Sequence, residues 1–338
     1  MIDFRYHVVS IVAVFLALTV GLVIGSSYLS KVAYDGLNHQ LSVLRNENQA
    51  LRNSEDQLSA QVSDRDSLIA ALGPDAVAGK LTGHSVAVVL LPGADGSSGD
   101  DLVDLLGKAG ATVTAELALK SSLVDFSQAG KLAAVGAKLP AADRGGAQLP
   151  ASSASESSDK TAAATSALAD IAGAVVHRIP ANTSGVGEQH ITDAASARVL
   201  NAYSSAGFVE VKVGGSAGSA SATAAADLVA VVAPPAPSAG STADTDDTLY
   251  LAFLKDLAGG GRSDGAVLAG PASAAVSPGL LAAAVKDGWA SKNVSTADSA
   301  DQAAGRIITI FALVEAAEGK TGHYGLTGTA DGPLPDLH

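Results

Sequence analysis

The chain has 338 residues, no cysteine and a formal net charge of −13. Absent cysteine excludes disulfides, thiolate metal sites and cysteine nucleophiles, and the acidic balance argues against nucleic acid as a partner. The length leaves room for one large domain or two small ones behind any targeting segment.

The first element in chain order is an uncharged apolar run over residues 8–29, VVSIVAVFLALTVGLVIGSSYL. About 20 apolar residues cross a bilayer as a helix, so the run predicts a single transmembrane anchor behind a short cytoplasmic segment, residues 1–7. The rival reading is a cleaved signal peptide ending near Gly25-Ser26-Ser27, for which the run is long and the leading segment, with Asp3 against Arg5, is weakly basic. Ala13, Ala17, Gly21 and Gly25 recur every four residues and place small side chains on one helix face, where a second helix can approach closely. Arg5 and the terminal amine before the run and Lys31 after it orient the amino terminus to the cytoplasm and the remainder outside it.

Residues 30–72 read as a coiled-coil stalk. Leu37, Leu44, Leu51 and Leu58 are seven apart at d, and Leu41, Asn48, Glu55, Val62 and Ile69 fall at a, with Tyr34 and Leu72 extending the series. Asn48 at an a position suits the register of a parallel homodimer, while Glu55 and Arg65 weaken the seam. A fully helical stalk would be about 65 Å long at ~1.5 Å per residue. Gly73-Pro74 is expected to end it.

From residue 73 to 338 the pattern is α/β. Ser85 to Leu91 is a continuous apolar run, as in a strand buried on both faces. A helix capped by Asp100 or Asp101 follows to Lys108, then a strand over Thr112 to Leu119, which makes a βαβ unit and predicts a mainly parallel, Rossmann-like sheet. Further helices are expected over Val124 to Ala137, Thr161 to Val176, Ala194 to Ala206, from Asp244 through Leu249, Phe253, Leu254 and Leu257, and over Asp301 to Ala317. Further strands are expected over Phe208 to Val213, Asp227 to Ala233 and Ala266 to Ala269. Flexible links are placed near residues 144–160, 214–225 and 234–246.

Motifs for chemistry are sparse. Gly214-Gly215-Ser216-Ala217-Gly218 matches G-x-S-x-G but runs into low-complexity sequence rather than a helix, so no serine nucleophile is assigned. Gly319-Lys320-Thr321 lacks the upstream glycine of a phosphate loop, since position 314 is Val314. Gly259-Gly260-Gly261 with Gly265 lies between a helix and a strand, the reverse of a dinucleotide fingerprint. His7, His39, His84, His177, His190, His323 and His338 show no metal-ligand spacing, and with Met1 as the single thioether no copper(I) motif is present. Asp95, Asp100, Asp101 and Asp104 read as helix caps before they read as a cation site. No catalytic or cofactor residue is assigned, and the reading is of a non-enzymatic protein.

The anchor VSIVAVFLALTVGLVIGSSYL, the leucine heptads, the strand GHSVAVVLLPGAD, the Gly305-Arg306-Ile307 helix and the final Gly322-His323-Tyr324-Gly325 together resemble the actinobacterial family named for mycobacterial copper transport protein B. The resemblance covers nearly the whole chain and implies a role in copper homeostasis and export. The family has been described as outer-membrane channels, but outer membranes are crossed by closed barrels, whereas this chain offers one apolar helix. An accessory role, rather than a pore, is therefore expected, with copper as a cofactor by resemblance alone. The resemblance also implies a membrane partner protein with which such a scaffold regulates septal cell-wall hydrolysis and daughter-cell separation. Gly322-His323-Tyr324-Gly325 is expected to form a turn packed on the domain.

Overall fold

The computed structural model describes residues 4–144, 156–176, 193–212, 225–237, 243–259, 263–327 and 330–335. It divides into two compact units, Met1–Arg65 and Asp66–His338. The first is helical: α1 (Phe4–Val77) carries the apolar run and the heptads. Its last turns belong to the second unit, the head.

The head contains β1 (Ser85–Leu90), α2 (Gly96–Lys108), β2 (Thr112–Leu119), α3 (Ala129–Lys138), α4 (Glu156–Val175), α5 (Asp193–Ser205), β3 (Val209–Lys212) and β4 (Leu228–Val232). It continues through α6 (Ala243–Ala258), β5 (Gly265–Ala269), α7 (Leu280–Lys286), α8 (Ala290–Asn293), β6 (Ser295–Ala297), α9 (Ala303–Ala317) and β7 (His323–Tyr324). The sheet order is β3-β2-β1-β4-β5-β6-β7, parallel throughout except for β3, which runs antiparallel to β2 at one edge.

Both faces of this sheet are covered, which explains its continuous apolar strands. Val86, Val88 and Leu90 of β1 join Leu102, Leu106, Ile308, Ile310 and Leu313 on the side of α2 and α9. Ala87 and Val89 join Leu132, Leu168, Ile171, Val199, Phe253 and Leu281 on the side of α3 to α7. Leu249, Phe253, Leu254 and Leu257 form the buried face expected for α6.

Several boundaries differ from the sequence reading. Gly73-Pro74 does not end the helix, which continues to Val77. The helix passes close to α9 at this point: a Cβ at Gly73 would lie 2.5 Å from Ile307 Cδ1. The chain turns instead at Gly79 and Gly83, both at positive φ. The cap of α2 is Asp95, whose carboxylate accepts from Ser98 N at 3.0 Å; Asp100 and Asp101 instead pair with Lys212 and Arg306. The expected helix from Val124 begins only at Ala129, after two short 3-10 turns. Helix α4 starts at Glu156, inside the expected link, and residues 145–155 lie outside the described residues, as do 213–224 and 238–242 of the other links. Strands β6 and β7 were not anticipated. They are short and polar, and their side chains are hydrogen-bonded: Thr296 Oγ1 lies 3.0 Å from His323 Nδ1. The terminal motif thus enters the sheet as β7, with a turn only after Tyr324.

One long-range contact ties α1 into the head. Helix α9 has Gln302 at its N-cap without a side-chain cap, and the orphan N–H of Ala303 donates to Asp66 Oδ1 at 2.7 Å. Asp66→Ala is expected to cost the head about 1 kcal/mol, the usual value of a lost cap, measured by urea denaturation. Asp66→Asn should recover most of it.

Candidate functional site

The residues assigned to function lie in two places. Tyr6–Ile24 is long and apolar enough to cross a membrane, with a mean hydropathy of 2.6, and no part of it is buried in the chain's own fold. Ala13, Ala17 and Gly21 lie on this span, and a Cβ at Gly21 would meet nothing within 4 Å. Gly25 follows in the same helix. Thr19 Oγ1 is returned to the helix backbone, 3.0 Å from the Phe15 and Leu16 carbonyls, so it presents no polar stripe.

The heptad positions continue along α1. Leu41, Leu44, Leu51, Leu58 and Val62 are 41%, 56%, 63%, 59% and 50% exposed, a large apolar allowance for a solvated helix. Asn48 is exposed between them, and Leu37 precedes them in the helix. Ile69 is placed differently. It is half-buried and lines a groove within the head with Gly73, Asp104, Leu105 and Arg306.

In the head, an open parallel sheet binds ligands outside the carboxyl ends of its strands, where strand order reverses. Here that point lies between β1 and β4. Asp95 occupies it. Hydrogen bonds from Ser97 Oγ at 2.6 Å and Ser98 Oγ at 2.8 Å, with Ser98 N, hold its carboxyl at a pKa of about 2. The cap is therefore at full strength above pH 3.8 and is lost as pH falls through about 2. A carboxylate already seated on the first N–H groups of α2 opposes a phosphate there. Pro234 follows β4 on the other side, its Cβ 3.4 Å from where a Gly93 Cβ would stand.

The remaining motifs resolve structurally. Gly319-Lys320-Thr321 follows the C-terminus of α9, with Gly319 at positive φ and Lys320 paired with Glu318 at 2.7 Å, so its glycine terminates a helix. The G-x-S-x-G segment around Ser216 lies outside the described residues, as do Gly260, Gly261, His177, His190 and His338. Among the described residues, no three His, Asp or Glu side chains are grouped to hold a metal ion. Buried polar groups serve packing. Tyr203 donates to Asp170 at 2.9 Å, and burial, with the Asp170 charge next to it, pushes the Tyr203 phenol far up.

Sequence reasoning missed Asp298, which anchors the C-terminal turn. Its Oδ1 accepts from Ser299 Oγ at 2.8 Å and Leu326 N at 2.7 Å, and its Oδ2 accepts from Thr327 N at 3.1 Å and from Thr327 Oγ1. The two glycines of the terminal motif are required here. A Cβ on Gly322 would overlap the Tyr324 ring, and one on Gly325 would overlap the Asp298 carboxylate. Partners so distant in sequence leave no local signal.

The sequence profile of the family described as "Copper transport outer membrane protein, MctB" matches residues 1–335. The chain is 29% identical over 336 residues to the copper transporter MctB of Mycobacterium bovis, and equally to that of Mycobacterium tuberculosis, covering 99% of this chain and 98% of the relative.

Proposed function

The chain belongs to the MctB family, and from that premise we propose that it serves copper homeostasis as a membrane-anchored, non-enzymatic accessory protein rather than as a pore. The observation that carries this reading is the span Tyr6–Ile24, one apolar helix with no polar face. A lone helix satisfies its own backbone and turns side chains to lipid, leaving no route for a hydrated ion. Copper, the cargo in the relatives' name, has no thiolate here and no cluster of three His, Asp or Glu among the described residues. The chain's own part is then to hold a head at the membrane surface. Arg5 and the terminal amine before the span, against Lys31 alone after it, support an extracytoplasmic head.

A second copy of the chain suits the exposed seam. In a parallel, in-register pair Leu44, Leu51 and Leu58 meet their counterparts, Asn48 faces Asn48, and Glu47 at g stands opposite Arg52 at e of the other copy. The small-residue face of Ala13, Ala17, Gly21 and Gly25 continues the pairing into the membrane. Leu51→Asp with Leu58→Asp is expected to convert a dimer into a monomer of unchanged head stability, read by light scattering in nanodiscs. A wild-type monomer would sink the pairing.

The same exposed seam favours a second reading, a dimeric scaffold that binds a membrane partner and regulates septal cell-wall hydrolysis and daughter-cell separation. One deletion strain separates the two. Copper-sensitive growth with normal cell separation supports the copper role. Chained cells with wild-type copper tolerance support the scaffold role and overturn the first.

A further inference from the structure

Away from the switch point, a cavity opens at the carboxyl ends of β6 and β7. It has a volume of about 90 Å³, is open to solvent, and is walled by Leu281, Ala282, Val285 and Tyr324. That is below the usual ~300–1,000 Å³ of small-ligand pockets and suits a small ligand only, but the lining has their character, mainly apolar with a few placed polar groups.

Four polar residues line it: Lys286, Thr296, Asp298 and His323. Asp298 is committed, since four donors from Ser299, Leu326 and Thr327 saturate its carboxylate. Thr296 holds His323 by Nδ1, which fixes the ring and leaves Nε2. Among the described residues, neither His323 Nε2 nor Lys286 Nζ has a hydrogen-bond or ion-pair partner. Lys286 is the last residue of α7 and stands at the cavity rim. An unpaired cation and an oriented imidazole beside an apolar wall are complementary to a particular ligand type. In a chain of net charge −13, this complementarity is local and runs against the overall field.

We propose that this cavity binds a small amphiphile with an apolar body and one anionic headgroup, a short-chain carboxylate being the chemical class. The body lies against Leu281, Val285 and Tyr324, and the carboxylate takes hydrogen bonds from Lys286 and His323. The terminal motif thereby acquires a second purpose. Its glycines hold the turn, and its histidine serves the cavity.

The test is calorimetric titration of the full-length chain in lipid nanodiscs with sodium hexanoate, hexan-1-ol, hexylamine and inorganic phosphate. Empty nanodiscs subtract partition into lipid. Hexanoate is expected to bind at least tenfold tighter than the other three. Lys286→Met and His323→Gln should each weaken it about tenfold or more, as expected for loss of a hydrogen bond to a charged group. Ala282→Phe should abolish it by filling the cavity, and equal melting temperatures will show that the variants are folded. The proposal is overturned by no hexanoate binding to the wild type, by equal binding of hexanol or hexylamine, or by hexanoate binding that survives Ala282→Phe.

Discussion

Gly305→Ala is expected to destabilise the head by at least about 3 kcal/mol, or to prevent its folding, although it adds one methyl group. Gly305 sits in the first turn of α9, and a Cβ there would overlap the carbonyl of Ser299 and lie 2.6 Å from Ala300 N. Both obstacles are backbone, so no side-chain rotation relieves them. The obstructing segment has little freedom, because Ser299 holds a positive φ of 58° and its neighbour Asp298 is fixed by four hydrogen bonds. Separation of α9 from β6 would expose Ile308, Ile310 and Leu313, all now buried. The natural comparison is Gly107→Ala, where a Cβ meets nothing within 4 Å. There, alanine should be neutral or stabilising by up to about 1 kcal/mol, because it lowers the entropy of the unfolded chain. Urea denaturation of both variants is the check. A Gly305→Ala protein within about 1 kcal/mol of wild type would mean that the α9 packing is wrong.

Leu16→Arg is expected to move the protein out of the membrane. Leu16 lies near the middle of the Tyr6–Ile24 span. Exchange of leucine for arginine at a span centre costs about 3–4 kcal/mol on insertion scales, more than a hundredfold in the partition. The membrane fraction should fall and alkaline-extractable protein should rise, while Leu16→Ala changes neither. Head stability should be the same in all three proteins, since the span is unburied and the head has its own core. Retention of Leu16→Arg in the membrane fraction would point to a further attachment and would remove the single-helix premise.

The parts legible in the sequence were those whose physics is local. An anchor needs only length and apolarity, and Tyr6–Ile24 meets both. Strands β1, β4 and β5 were readable because burial on both faces makes them uniformly apolar. The α6 face was readable because Leu249, Phe253 and Leu257 keep a helical period. What escaped depends on partners far along the chain. Ser295 and Thr296 do not look like a buried strand until Gly322 and His323, 27 residues on, supply their hydrogen bonds. Gly73-Pro74 looked like a stop because a close approach to Ile307 and a helix break use the same residue. Asp66 lies within the stretch read as stalk, and its cap on Ala303 spans 237 positions. The terminal motif was conspicuous as Gly322-His323-Tyr324-Gly325, yet its glycines are explained only by the Tyr324 ring and the Asp298 carboxylate.

An accessory role without a pore is tested most directly by copper flux through the purified full-length protein in sealed liposomes loaded with a copper-quenched fluorophore. With Cu(I) under anaerobic conditions, and separately with Cu(II), quenching should proceed at the rate of protein-free liposomes at every protein-to-lipid ratio. Quenching that rises with protein content would contradict the account and make this chain a conducting element in its own right.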